Sequence, residues 1–275
     1  MMGRYQLTLI DSLDTLYMMD EKESWKKHVR LVIHTAKFDA DLPVSVFEAN
    51  IRVLGGLLSN HLFCVEEKME EEAEALLNMA TEVAERLLPA FDTPTGIPLS
   101  QVNLKSGAVP GQTRGTCTAC GGTFILEFGL LSKLTGDEKF YQAALKALES
   151  LDASSSKLNF MGAQIDVDDG SWLYAASGIG AGVDSLYEYL MKAFMLFGDE
   201  YYYSFFVDLY SRVMSATWIE EWYLQTNVQT AAIVATWTDS LGAFWPGLQV
   251  LLGDVHSARS SFNKFWAIWK KFGAG

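Results

Sequence analysis

The sequence is short of positive charge. Its 275 residues carry 21 Lys+Arg against 34 Asp+Glu, for a net charge of −13. Phosphate backbones demand Lys and Arg, and no basic stripe is present, so nucleic-acid binding is excluded. A membrane span needs about 18 or more consecutive apolar residues, and the chain has no such run. The N-terminal MMGRYQLTLIDSLDTLYMM lacks a signal-peptide layout, because aspartates interrupt its apolar stretch. Read literally, that predicts a cytosolic chain. The four histidines, His28, His34, His61 and His256, show no H-E-x-x-H spacing. There is neither a G-x-S-x-G elbow nor a Walker loop. GIGAGVD, residues 178–184, loosely resembles a phosphate-binding turn, but no strand of the right kind leads into it. Only three cysteines occur, Cys64, Cys117 and Cys120. One C-x-x-C without a second pair is a weak zinc signal. The order of readings is structural cysteine or disulfide first, redox contact with a partner second, metal last.

What is present is ordinary globular material. Hydrophobic residues make up 49% and charged residues 20%, enough to bury a large core. Aromatics at 13% suit either that core or a sugar cleft. The acidic run EEKMEEEAEA, residues 66–75, reads as a solvated helix face. Helical periodicity dominates. It predicts helices near 5–19, 24–37, 46–62, 68–88, 120–134, 138–150, 184–197, 200–214, 237–251 and 255–271. Weak strand character near 159–174 turns at Asp169-Gly170. A loop at 87–111 holds Pro89, Pro94, Pro98 and Pro110; a loop that long is usually functional or disordered. No domain boundary is visible. One motif repeats: KLTGDEKF, MLFGDEYY and VLLGDVHS, with Gly136, Gly198 and Gly253 spaced 62 and 55 residues apart. Glycine gives a left-handed helix end, and aspartate caps the next helix. Repeated helical hairpins of this length suggest an α/α toroid or an α-solenoid.

Several acids stand where an amphipathic helix should be apolar. Glu48 lies inside FEANIRVLGGLL with Arg52 one turn on, Glu127 inside GGTFILEFGLLSKL, and Asp184 and Glu188 inside VDSLYEYLMKAFMLF. Positions 184 and 188 share a face, so two carboxylates repel each other. A capped backbone or an arginine partner would explain any one of them. Three inner helices with the same anomaly point instead to acids converging at one end of a toroid axis. Buried carboxylates can split into a raised-pKa acid and an ionised base, the equipment of glycoside hydrolysis. Oxygen ligands for a divalent cation are the alternative. Gly55-Gly56 removes side chains either for an approaching loop or ligand or for close helix packing.

The segments LTLIDSLDTLYMMD, VFEANIRVLGGLLS, LLPAFDTPTGIP, TFILEFGLLSKLTGD, GIGAGVDSLYEYLMK and SLGAFWPGLQVLLGD together resemble, in order, motifs of the class I α-1,2-mannosidases, glycoside hydrolase family 47. IDVDDGSWL, GIGAGVDS and FWPGLQVLLGD resemble its branch of ER degradation-enhancing α-mannosidase-like proteins, where processing mannosidases typically carry arginine in place of Gly182. The resemblance implies an all-α fold, an (α/α)7 barrel of helical hairpins with short β-hairpins in the loops. Residues 1–275 would be a partial catalytic domain and so an incomplete barrel, because the family's R-P-E motif and the threonine that binds calcium have no counterpart in this sequence. The resemblance also implies inverting hydrolysis of terminal α-1,2-linked mannose, with Glu48 as general acid and Asp184 as a second catalytic carboxylate. Asp11, Asp14, Arg52, Glu127 and Glu188 match pocket residues. Ca2+ is the expected cofactor. Cys117 matches a cysteine that pairs with an upstream one, and Cys64 is the candidate partner; Cys120 departs from the pattern.

The implied partners are high-mannose N-glycans on misfolded glycoproteins, and an ER thiol oxidoreductase through Cys117. The implied compartment is the ER lumen, against the literal reading of the N-terminus. This stretch alone is expected to be poorly stable or to associate, and to lack mannosidase activity. Two other functions compete: a non-catalytic glycan-binding or adaptor module of the same fold, and an α-solenoid scaffold with no sugar site.

Overall fold

The computed structural model describes residues 5–273. In chain order, α1 (Leu7–Met18) and α2 (Lys22–Thr35) precede β1 (Pro43–Ser45), α3 (Val46–Glu48), a π-helical segment (Ala49–Leu54), α4 (Gly55–Glu66) and α5 (Glu70–Leu87). A 3-10 turn (Leu88–Phe91), β2 (Gln101–Asn103), β3 (Gly115–Cys117), α6 (Thr118–Gly122), α7 (Ile125–Thr135) and α8 (Lys139–Ala153) follow. Next come β4 (Gln164–Asp166), β5 (Trp172–Tyr174), β6 (Ala176–Ser177), α9 (Asp184–Phe197) and α10 (Glu200–Ala216). Four short strands, β7 (Trp218–Ile219), β8 (Trp222–Tyr223), β9 (Gln225–Asn227) and β10 (Ile233–Ala235), lead to a 3-10 helix (Ser240–Phe244), α11 (Trp245–Leu252) and α12 (Val255–Phe272). The protein is mostly helical, as expected, and helices occupy all ten predicted segments. The chain divides into two compact units, Met1–Arg114 with Phe124–Ala147, and Gly115–Thr123 with Leu148–Gly275.

In the first unit, α1 packs on α2 and α4, and α4 packs on α5. Trp25, Val29 and Val32 recur on one face of α2 and are fully buried. Each such side chain contributes about 1.5–3 kcal/mol. The Trp25 indole donates to Asn60 Oδ1 at 2.7 Å, which satisfies both buried groups. Phe91, Phe124, Phe128 and Phe140 form edge-on contacts with centroids 5.0–5.8 Å apart. The acidic run is largely solvated, with Glu66, Glu70, Glu71 and Glu74 exposed; Glu72 accepts from Arg30 Nε at 2.7 Å. The proline-rich loop is ordered and buries Ile97, Leu99 and Leu104. Its strand β2 pairs antiparallel with β1, in register Pro43↔Asn103 to Ser45↔Gln101. That pairing fixes the chain entering α3.

In the second unit, α9 packs on α10 and α11 on α12. Small antiparallel sheets, β3-β4-β5 and β10-β9-β6, occupy its loops. A polar network is buried here: Gln249 Nε2 donates to Tyr210 and Tyr223 hydroxyls, each at 3.1 Å, and Ser261 donates to Gln249 Oε1 at 2.9 Å.

The repeated motif works as its sequence predicts. Gly136, Gly198 and Gly253 are all left-handed, at φ 76°, 73° and 90°. Asp199 accepts from Tyr201 N at 2.9 Å, Asp254 from Ser257 N at 3.1 Å and Asp137 from Lys139 N at 3.2 Å.

The cysteine pairing requires a correction. Cys117 is joined to Cys120, not to Cys64. Cys117 ends β3 and caps α6, its Sγ accepting from Cys120 N at 2.9 Å. That turn brings the two Cα atoms to 4.8 Å, within disulfide range. Cys64 is a free thiol in the core of α4. Burial, with some help from the Glu72 charge, pushes it up to about 12, which leaves it inert.

Candidate active site

The first cluster forms where α3 passes into α4. Ser45 caps the start, its hydroxyl accepting from Glu48 N at 3.3 Å. The helix then widens into the π-helical segment before α4 begins. Single π turns inside α-helices are common at functional sites. Here the widened turn carries Asn50 and Arg52. Arg52 Nε donates to Glu48 Oε2 at 2.6 Å, and Arg52 Nη1 donates to Asp11 Oδ2 at 3.0 Å. One guanidinium thus joins two carboxylates from two elements. Both partners push its pKa up, Glu48 first and Asp11 second. The three side chains are only 29–38% exposed, so the pairing is partly shielded from water. The paired Glu48 and Arg52 in one apolar segment are therefore an ion pair that keeps partial contact with solvent.

Glu127, in the first turn of α7, joins this cluster through Asn50, whose Nδ2 donates to Glu127 Oε2 at 2.9 Å. Gly55 lies beneath it: a Cβ there would stand 3.6 Å from Glu127 Oε1. Gly56 faces the other way, where a Cβ would meet Ile10 Cγ2 at 3.0 Å and Ile10 O at 3.1 Å. Gly56 thus serves close packing against α1, whereas the space at Gly55 would admit a Cβ in ordinary contact with the carboxylate. Asp14 stays outside the Arg52 ion pair; Thr15 Oγ1 donates to it at 3.5 Å.

Two members of this cluster were not marked by the sequence reading. Asn50 is fully buried, and an amide inside FEANIRVL carries the same signal as a misplaced acid. Tyr5 is also buried; burial, with the Glu48 charge adding to it, pushes its hydroxyl up to about 12.

The second cluster surrounds the start of α9. Asp184 is the first helical residue, and Val183 precedes it as the cap. Its backbone N donates to Gly180 O at 3.1 Å. Burial raises the Asp184 carboxyl to about 6, and the charges of Asp239 and Glu188 add to the shift. Glu188 accepts from Lys192 Nζ at 3.1 Å. Behind this turn, the Thr123 and Ser185 hydroxyls bond at 2.8 Å, and the Tyr187 hydroxyl donates to Gly178 O at 3.1 Å. Asp239 was not singled out in the sequence. Gly182 is left-handed, at φ 96°, and a Cβ there would stand 3.0 Å from the Ala163 Cβ and 3.2 Å from its carbonyl oxygen. An arginine at 182 would require the turn to be rebuilt.

Among the described residues, no three His, Cys, Asp or Glu side chains gather where they could hold a metal ion. The acids named above do not gather into a set of calcium ligands.

The structure is thus one of helical hairpins with two acid clusters, one around Arg52 and one at the start of α9. Comparisons with known proteins identify the family. The family described as "Glycosyl hydrolase family 47" matches residues 1–275, and the chain belongs to that family. It is 46% identical over 276 residues to "Alpha-mannosidase I MNS4" of Arabidopsis thaliana, covering 99% of this chain and 44% of that protein. It is 44% identical to human "ER degradation-enhancing alpha-mannosidase-like protein 2", covering 98% of this chain and 48% of that protein. The chain thus spans less than half the length of these relatives. Among solved structures, "alpha-1,2-mannosidase from Trichoderma reesei" matches with TM-score 0.78 at 24% identity, covering 94% of this chain and 57% of that one. That match shows the fold class, the (α/α)7 barrel family of helical hairpins.

Proposed function

We propose that the protein carrying this chain is an α-1,2-mannosidase-like glycoside hydrolase. It trims terminal mannose from N-linked high-mannose glycans of misfolded glycoproteins in the ER. The observation that carries the reading is the family match over residues 1–275; Asp184, a buried helix-start carboxylate raised to about 6 by burial and neighbouring charge, supports it. A group poised there is ionised at neutral pH yet close to accepting a proton, as a base for water requires. Glu48 is the proposed general acid. Arg52 engages its Oε2, which orients the carboxyl group and leaves Oε1 toward the proposed leaving group. Asp11, Asp14, Arg52, Glu127 and Glu188 are the proposed contacts to sugar hydroxyls. Inverting hydrolysis needs its two carboxyl groups roughly 6.5–9.5 Å apart, with room for water between them.

The direct test uses a mannosylated glycan and the full-length protein. Glu48→Gln and Asp184→Asn should each abolish mannose release while glycan binding persists. Full activity in either variant would remove that residue from the mechanism. Calcium belongs to this proposal only through the resemblance; its test is loss of mannose release on chelation and recovery on Ca2+ addition. The thiol oxidoreductase contact is likewise proposed, at the partly exposed Cys117–Cys120 disulfide.

A second reading is a non-catalytic glycan-binding module. The ion pair that Glu48 already makes with Arg52 favours it, since such a pair binds hydroxyls without giving up a proton. Under this reading Glu48→Gln weakens glycan binding and no variant alters hydrolysis, because none occurs.

A further inference from the structure

Asp239 lies far from Asp184 in sequence, in the WTDSLGAF segment that opens the 3-10 helix Ser240–Phe244. Its carboxylate ties two backbone elements together. Oδ1 accepts from Gly242 N at 3.1 Å, capping that helix. Oδ2 accepts from Ala181 N at 3.3 Å, in the turn that delivers the chain to α9. Gly180 makes the approach possible: a Cβ there would lie 2.6 Å and 2.7 Å from the two carboxylate oxygens. The Gly180 carbonyl in turn accepts the Asp184 amide at 3.1 Å and the Val183 amide at 3.3 Å. Ile179, buried in the same turn, would meet a Cβ on Gly242 at 3.4 Å. The turn and the 3-10 helix therefore interlock through Asp239 on one side and Ile179 on the other.

We propose that Asp239 is a positioning residue for Asp184, clamping the Gly180–Ala181 turn that sets where α9 begins and placing a second negative charge beside its first residue. This rests on the reading of Asp184 as a catalytic carboxylate. Two charged groups act on the Asp184 carboxyl alongside burial: Asp239 from its loop and Glu188 from the next turn of α9. Glu188 is itself paired with Lys192. Asp239 thus supplies charge from outside the helix, and like charge raises a carboxyl pKa. A glycine at 180 follows from the same geometry.

The test is a carboxyl-carbon NMR titration of the full-length protein, with the Asp184 signal assigned by its loss in Asp184→Asn. In Asp239→Asn the amide keeps one acceptor and the shape but removes the charge. The Asp184 midpoint should fall by on the order of 0.5 pH unit or more, and the acidic limb of kcat/KM should move down with it. Gly180→Ala, which pushes the carboxylate aside without altering Asp239, should lower the midpoint in the same direction and reduce kcat more than it raises KM. An unchanged midpoint in a folded Asp239→Asn or Gly180→Ala variant overturns the assignment, even where the melting temperature drops. The outcomes separate the two levels. Full activity in Asp184→Asn defeats the catalytic reading. A dead Asp184→Asn beside an Asp239→Asn with an unmoved midpoint defeats only the clamp.

Discussion

A buried acid with a raised pKa weakens the fold at neutral pH, and Asp184 shows the sign. Its folded value lies near 6 against an ordinary 3.8. The folded state therefore holds the proton more tightly, and the contribution to stability is largest at low pH. It is lost as pH rises through about 6. Above that pH, Asp184→Asn should stabilise the protein, by up to about 3 kcal/mol from a shift of this size and less if water reaches the site. Chemical denaturation of the variant at pH 5 and pH 8 reads the effect. A gain at pH 8 that shrinks at pH 5 is expected; a loss at both would mean the carboxylate is stabilising after all. Arg52 is the opposite case. It holds two carboxylates, and its removal leaves Glu48 and Asp11 without a counter-charge. Arg52→Ala should cost about 1 kcal/mol, a modest figure because all three groups are partly exposed. A thermal melt unchanged by Arg52→Ala would show that solvent screens the cluster fully.

Helix ends carry much of the design. The Gly-Asp repeat marks three helix junctions, and each glycine and aspartate takes the role its sequence predicts. The aspartates are not equivalent, however. Asp199 only caps, whereas Asp254 also accepts from the Tyr210 hydroxyl at 2.6 Å, and Tyr210 belongs to the buried Gln249 network. Asp199→Ala should cost about 1 kcal/mol, the usual value of a cap. Asp254→Ala should cost about 2–3 kcal/mol, because a buried hydroxyl loses its partner as well. Urea titrations of the two variants compare them, and equal losses would show that the Tyr210 bond adds nothing. At this scale the sequence was most legible. Long amphipathic helices declare themselves by period, and Gly-Asp declares their ends. The π-helical segment at Ala49–Leu54 was not legible, since an extra residue per turn leaves no mark in apolar spacing. Nor were strands such as β1, β2 and β6, whose two or three residues are too few to show alternation. The helix predicted from 237 begins later, as a 3-10 turn at Ser240, with α11 and its Pro246 following.

For the whole molecule, the family was legible because its motifs run through nearly the full chain in order. The acids were legible as exceptions to amphipathic pattern, and the structure joins Glu48, Arg52 and Asp11 in one cluster and Asp184 with Glu188 in another. Asp239 and the Cys117–Cys120 pairing were not, because each depends on a turn that only coordinates reveal. The outer face of α12 carries a further consequence. Phe262, Trp266, Trp269 and Phe272 are 48–69% exposed along one helix, and a patch of that kind favours association. A polypeptide of these 275 residues should self-associate. Trp266→Gln with Trp269→Gln should shift it toward monomer in light scattering coupled to size exclusion; a monomeric parent would refute this.

In the proposed mechanism, Glu48 donates the proton in mannoside hydrolysis. Mannose released from a high-mannose N-glycan by the full-length protein, wild type beside Glu48→Gln, tests it most directly. The wild type should release terminal α-1,2-linked mannose, and the variant should lose at least ~10³-fold of that rate. Equal release by the two proteins would contradict it.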